Sequence, residues 1–219
     1  MSKLKVKEPK STPEKTSVAE PGSPYDFLGR GPRIKRLTTW EPERWEKARD
    51  SSAAGLSPLT RESMRFQTWE DRGIYSVACA YYAAKDMARG NLSRGNFLVL
   101  AGPTGTGKTH LALAIGWEWF DDGFNVLFTR VDDLVDWLRQ GYDDGTYHKR
   151  FESIRRRQML ILDDLGTEQT KGWAGERLDR IVDWRYINRL PLVVTTNVLS
   201  EDLADRVASR LADKSCSVV

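Results

Sequence analysis

From about residue 60 onward, apolar residues fall into short unbroken runs separated by stripes at helical period. Phe97-Leu98-Val99-Leu100-Ala101, Asn125-Val126-Leu127-Phe128-Thr129, Met159 to Leu162 and Leu192 to Thr195 read as strands covered on both faces. Pro191 is tolerated at the start of the last one. Ile74, Val77, Ala78, Tyr81 and Lys85 predict an amphipathic helix before the first strand, and Leu111 to Ile115 predicts a buried one after it. Val131, Leu134, Val135 and Leu138, then Ala174, Leu178, Ile181 and Val182, mark two further helical faces. Strands alternating with helices predict an α/β fold, a parallel sheet with helices on both faces.

The first 59 residues break this pattern. Met1 to Pro24 is rich in Lys, Pro, Ser, Thr and Glu with almost nothing large and apolar, a composition that predicts disorder. Tyr25 to Lys47 interleaves Tyr25, Phe27, Trp40 and Trp45 with Arg30, Arg33, Lys35, Arg36 and Arg44. Such a segment suits docking on a partner or stacking on a single strand, and equally a short helix lying on the protein's own body. The expected division is an N-terminal arm over residues 1–59 and a compact domain over residues 60–219.

Composition adds exclusions. The net charge is +3, with 12 Lys+Arg against 8 Asp+Glu in residues 1–60, so the body is neutral and the front end weakly basic. No apolar run approaches the roughly 18 residues of a membrane helix and the N-terminus has no apolar signal core, so the expected location is cytoplasmic. Cys79 and Cys216 form no C-x-x-C pair and read as core or incidental thiols; His110 and His148 are isolated, which argues against a metal centre of His and Cys.

The most specific chemistry is Gly102-Pro103-Thr104-Gly105-Thr106-Gly107-Lys108-Thr109, a G-x-x-x-x-G-K-T motif between a strand and a helix, followed by His110. The glycines let successive N–H groups turn inward around an anionic oxygen. Lys108 supplies charge for the β- and γ-phosphates, Thr109 a hydroxyl for Mg²⁺, and the helix its positive end. ATP or GTP is implied; the dinucleotide fingerprint fits less well, for want of a third glycine at its spacing.

Asp163 and Asp164 end the third strand, where Asp163 can support Mg²⁺ and Asp164 can activate an attacking water. Alone, such a pair is more often a cap or turn; the phosphate loop upstream favours the catalytic reading. Thr195-Thr196-Asn197 closes the fourth strand, which should lie between the other two motifs, so Asn197 could hold the same water or simply start a turn. Arg206 and Arg210 share a helical face, paired to Asp202 or Asp205, or serving as an arginine finger for a neighbour's γ-phosphate. Arg155-Arg156-Arg157 reads as a solvated run with nucleic-acid backbone contact as the alternative, and Asp121-Asp122 and Asp143-Asp144 read as turns.

Taken in order, Met64 to Trp69, Gly102 to His110, Leu160 to Gly166, Arg185-Tyr186, Thr195 to Asn197 and Arg206 to Leu211 resemble an AAA+ ATPase of the family that contains DnaC-type helicase loaders and IstB-type transposition ATPases. The resemblance spans most of residues 60–215. It implies a three-layer P-loop NTPase in which Lys108 and Thr109 grip ATP and Mg²⁺. Asp163 and Asp164 are then the acidic strand end, Asn197 is sensor 1, and Arg210 acts in trans within a homo-oligomer. The implied work is loading a replicative helicase on single-stranded DNA, or presenting target DNA to a transposase; a small-molecule phosphotransferase and a non-hydrolysing scaffold are the rivals of other classes. Family members continue through another strand to a sensor-2 arginine, so the resemblance also implies a C-terminal end cut short at Val219.

Overall fold

The computed structural model describes residues 53–70, 73–91, 96–166, 171–198, 205–213 and 217–218. The segments Met1 to Pro24 and Tyr25 to Lys47, together with Cys216, lie outside the described residues, as do the side chains of Asp202, Asp205 and Arg206. Strands β1 (Ala53–Ala54), β2 (Phe97–Ala101), β3 (Val126–Arg130), β4 (Met159–Leu165), β5 (Leu192–Thr196) and β6 (Ser217–Val218) form one sheet in the spatial order β1-β3-β4-β5-β2-β6. Every neighbouring pair is parallel.

The alternation of side chains along each strand divides the apolar runs between two cores. Helix α1 (Thr60–Ser63) is a single turn; Leu98, Leu100, Met159, Ile161 and Val193 face one core, shared with α2 (Tyr75–Ala88) and α3 (Lys108–Asp121). Phe97, Val99, Leu160, Leu162, Leu192 and Val194 face the other, shared with α4 (Val131–Asp143), α5 (Tyr147–Arg155), α6 (Gly172–Ile187) and α7 (Asp205–Leu211). Helices cover both faces, the three-layer α/β architecture expected from the sequence. No described helix is long and apolar enough to cross a membrane.

Several boundaries differ from the expected ones. The sheet takes in Ala53–Ala54 and the core takes in Leu56, at 1% exposure, all ahead of residue 60. Strand β4 runs on through Asp163 and Asp164 to Leu165, because its neighbours continue to supply hydrogen-bonding partners past the last apolar residue. Helix α2 forms as predicted, yet Ile74 and Tyr75 are exposed and Ala84, Met87 and Ala88 carry the buried face. Its first turns line a cavity instead of the core.

Asp121 and Asp143 are the last residues of α3 and α4, not turn residues. Asp121 sits against the helix dipole and is compensated by Arg61 and Arg65, at 2.8 and 2.5 Å. The run Arg155-Arg156-Arg157 is not a uniformly solvated face. Arg155 pairs with Glu152 and lies 3.5 Å from the centroid of the Trp184 ring, and Arg157 donates to Asn125 Oδ1 at 2.6 Å. Arg185, fully buried, donates to the carbonyls of Arg157, Gln158 and Pro191 and so ties together the starts of β4 and β5. Burial lowers its guanidinium to about 9, which leaves it charged at neutral pH.

Candidate nucleotide site

The phosphate loop joins β2 to the first turn of α3. Gly107 has φ +90° and a Cβ there would stand 2.4 Å from the Trp69 ring, so two constraints demand glycine. Trp69 is stacked on Tyr81 and edge-on to His110, whose Nε2 is 2.8 Å from the carbonyl oxygen of Arg65. With Arg61 and Arg65 gripping Asp121, the segment 61–69 is tied to α3 at both ends of the helix. His110 thus braces the loop's surroundings.

Lys108 Nζ donates to the carbonyls of Gly102 and Pro103, each at 2.8 Å, and Pro103 also accepts from Thr106 Oγ1; Thr104 and Gly105 are exposed. Burial pulls the Lys108 ammonium below the usual lysine range, opposed by the charges of Asp164 and Asp163. Beside the loop a cavity of about 510 Å³ is lined by Trp69, Tyr75, Val77, Ala80, Gly102 and Lys108 among others. Its walls are mostly apolar with cationic and backbone groups at one end, which suits a flat base attached to a polyphosphate.

Strand β5 lies between β2 and β4, so the three motifs meet at one edge of the sheet. Asp163 is buried, and its Oδ1 accepts from Thr109 Oγ1 at 2.9 Å and from Thr195 Oγ1 at 2.7 Å. Asp164 is half exposed with φ +60°, a conformation that non-glycine residues enter only where their surroundings impose it. Its side chain meets Asn197 Nδ2 at 3.2 Å and Arg130 at 3.3 Å. Sequence reading missed Arg130 and named Thr195 only as part of the strand end, without a role; Arg130 stands opposite Asp163 in the β3–β4 register, a neighbour no local pattern reveals.

The Thr109 hydroxyl and Asp163 carboxylate fit a Mg²⁺ ion that draws its other ligands from water and phosphate. Among the described residues no group of three or more His, Cys, Asp or Glu could hold a metal ion.

Arg210 is not gathered into this site. Its Nε donates to Asp183 Oδ1 on α6 at 3.1 Å and its guanidinium lies 4.5 Å from the centroid of the Tyr186 ring. A second cluster lies on α4, α5 and α6. Tyr142 stacks on Tyr147 at 4.2 Å and meets Trp173 at 5.6 Å, while Arg139 and Arg177 lie over Trp173 and Arg150 over Trp137. Trp137 is 38% and Tyr142 49% exposed.

A parallel sheet with the Asn197 strand between the phosphate loop and the acidic strand end defines a P-loop ATP-binding fold of the AAA+ type. Residues 87–208, more than half the chain, match the IstB-like ATP binding protein family, and the chain belongs to that family. It is 29% identical over 164 residues to the uncharacterized protein YdaV of Escherichia coli K12, covering 74% of this chain and 64% of YdaV. It is 30% identical over 106 residues to the putative ATP-binding protein of insertion sequence IS5376 from Geobacillus stearothermophilus, covering 48% of this chain and 42% of that one. Among solved structures, the DnaC helicase loader superposes with a TM-score of 0.63 at 26% identity, over 73% of this chain and 97% of that one.

Proposed function

We propose that this chain hydrolyses ATP and uses its nucleotide state to load or remodel a replicative helicase on single-stranded DNA, as a homo-oligomer in the cytoplasm. The observation that carries the reading is the hydrogen-bonded line from Thr109 through Asp163 and Thr195 to Asp164 and Asn197, which joins all three motifs at one sheet edge. The loop N–H groups would receive the phosphates, and Lys108 would exchange its two carbonyl partners for phosphate oxygens. Mg²⁺, held by Thr109 and Asp163, would neutralise charge developing on the transferred group. Asp164 accepts a proton from the attacking water, which Asn197 helps to orient. Arg210 leaves Asp183 to stabilise a neighbour's γ-phosphate.

Support for helicase loading comes from the DnaC helicase loader, of which this chain covers 97%. Support for single-stranded DNA comes from the exposed Trp137 and Tyr142 set among Arg139, Arg150 and Arg177, since bases stack on aromatics while arginines meet phosphates. The insertion-sequence relatives favour a second reading, a transposition helper. Anisotropy of a labelled oligonucleotide, single- and double-stranded, tests both. Single strands should bind preferentially, and replacing Trp137 and Tyr142 together with alanine should weaken them by on the order of tenfold or more. Equal binding of duplex, unaffected by those substitutions, would favour the second reading; no binding to either would remove DNA from the account.

A further inference from the structure

The β4–β5 ladder is regular from Leu160 opposite Leu192 to Leu162 opposite Val194, then resumes at Leu165 opposite Thr196. Asp163 and Asp164 therefore share the space opposite one residue, Thr195, and the extra residue forms a bulge. Within it the N–H of Asp164 donates to Thr195 Oγ1 at 2.8 Å. The same hydroxyl gives its single proton to Asp163 Oδ1 at 2.7 Å. Thr195 is 1% exposed, so water does not compete for either bond.

We propose that Thr195 is a positioning residue, whose hydroxyl sets both carboxylates at once: it orients Asp163 toward the Thr109 hydroxyl and holds Asp164 in the left-handed conformation that presents it to Asn197. The inference rests on the ATP-binding reading of the site. Thr109 alone cannot do this, because it reaches Asp163 and not the Asp164 backbone. Asn197 and Arg130 meet the Asp164 side chain, whereas Thr195 meets its backbone N–H, with Thr196 Oγ1 donating to the next carbonyl, that of Leu165, at 2.6 Å.

Thr195→Val keeps the shape of the side chain and removes both bonds. With a fluorescent N-methylanthraniloyl ATP as probe, its affinity in EDTA should match that of the parent, while the Mg²⁺ concentration giving half of the metal-dependent gain should rise by about tenfold. Thr195→Ser, which keeps the hydroxyl, should restore the parental Mg²⁺ response, and ATP turnover should lose kcat at steady KM in Thr195→Val alone. An unchanged Mg²⁺ response in Thr195→Val, failure of Thr195→Ser to restore it, or an equal loss in EDTA would overturn the proposal. If Thr195→Val does not fold, Thr195→Ser against Thr195→Ala makes the same comparison, since they differ by the hydroxyl. A parent that fails to bind the probe at all would instead sink the ATP-binding reading, so the two failures are distinguishable.

Discussion

Lys108→Ala separates nucleotide binding from folding, because among the described residues the ammonium is held in the ligand-free chain by two carbonyls of its own loop, Gly102 and Pro103, and by no carboxylate at hydrogen-bonding distance. Removing it leaves those carbonyls to water, so the unliganded melting temperature should stay within about 2 °C of the parent, a change of less than about 1 kcal/mol. Its loss matters when phosphate arrives. A charge-assisted contact of this kind contributes about 1.5–3 kcal/mol, and the upper end corresponds to an affinity weaker by roughly 100-fold. At an ATP concentration 100 times the parental Kd, ligand linkage stabilises the parent by about 2.7 kcal/mol but the variant by only about 0.4 kcal/mol. For a domain of this size the shifts in melting temperature are then about 5–11 °C and about 1–2 °C. Thermal melting with and without Mg²⁺-ATP reads both numbers in one experiment. An ATP-induced shift as large in Lys108→Ala as in the parent would place ATP elsewhere and refute the phosphate-loop assignment.

Asp164→Asn should keep Mg²⁺-ATP affinity and slow turnover by about 10²- to 10⁴-fold, since an amide preserves shape but cannot accept the water's proton; equal turnover would make the carboxylate structural. Arg210→Ala should bind ATP normally and lose about 10³-fold or more in turnover, and mixing it with Lys108→Ala should restore part of the rate; a mixture that stays inactive although the parent is active would confine Arg210 to its own subunit. Arg185→Met should lower stability by about 2–4 kcal/mol in urea unfolding, because the carbonyls of Arg157 and Gln158 lose their buried donor; a loss under about 1 kcal/mol would remove the brace. Its guanidinium is lowered to about 9 in the fold, so the unfolded chain binds the proton more strongly above that pH. The parent's advantage over Arg185→Met should accordingly widen as pH rises from about 9, and a constant difference would contradict the burial argument.

Strands β2, β4 and β5 were legible because they are buried along most of their length, which leaves unbroken apolar runs; β3 is buried at Val126 and only partly so at Leu127 and Phe128. The edges were not. Ala53–Ala54 and Ser217–Val218 are two residues each and are joined to the sheet through backbone pairing, which imposes no side-chain pattern. The carboxylates at the end of β4 were legible, but not what keeps one of them inside: Asp163 is buried where Thr109 and Thr195, remote in sequence, donate to it. The aromatic cluster was missed because Tyr142, Tyr147 and Trp173 come from three helices, and within any one helix each passes for a core residue.

Arg210 shows how far the two kinds of reading reach. Sequence offered a salt bridge to Asp202 or Asp205 or a finger in trans, and the structure supplies a third partner, Asp183, from a helix that local spacing does not connect to it. That pairing does not remove the finger. The two side chains are 42% and 46% exposed, so the ion pair contributes about 0–1 kcal/mol, and the contact with the Tyr186 ring adds about 0.5–1 kcal/mol. A polyphosphate offers the same guanidinium bidentate, charge-assisted bonds that are stronger than either. Against the Asp183 and Tyr186 contacts a neighbouring nucleotide is the stronger partner, and the mixing experiment with Lys108→Ala decides whether it draws Arg210 away.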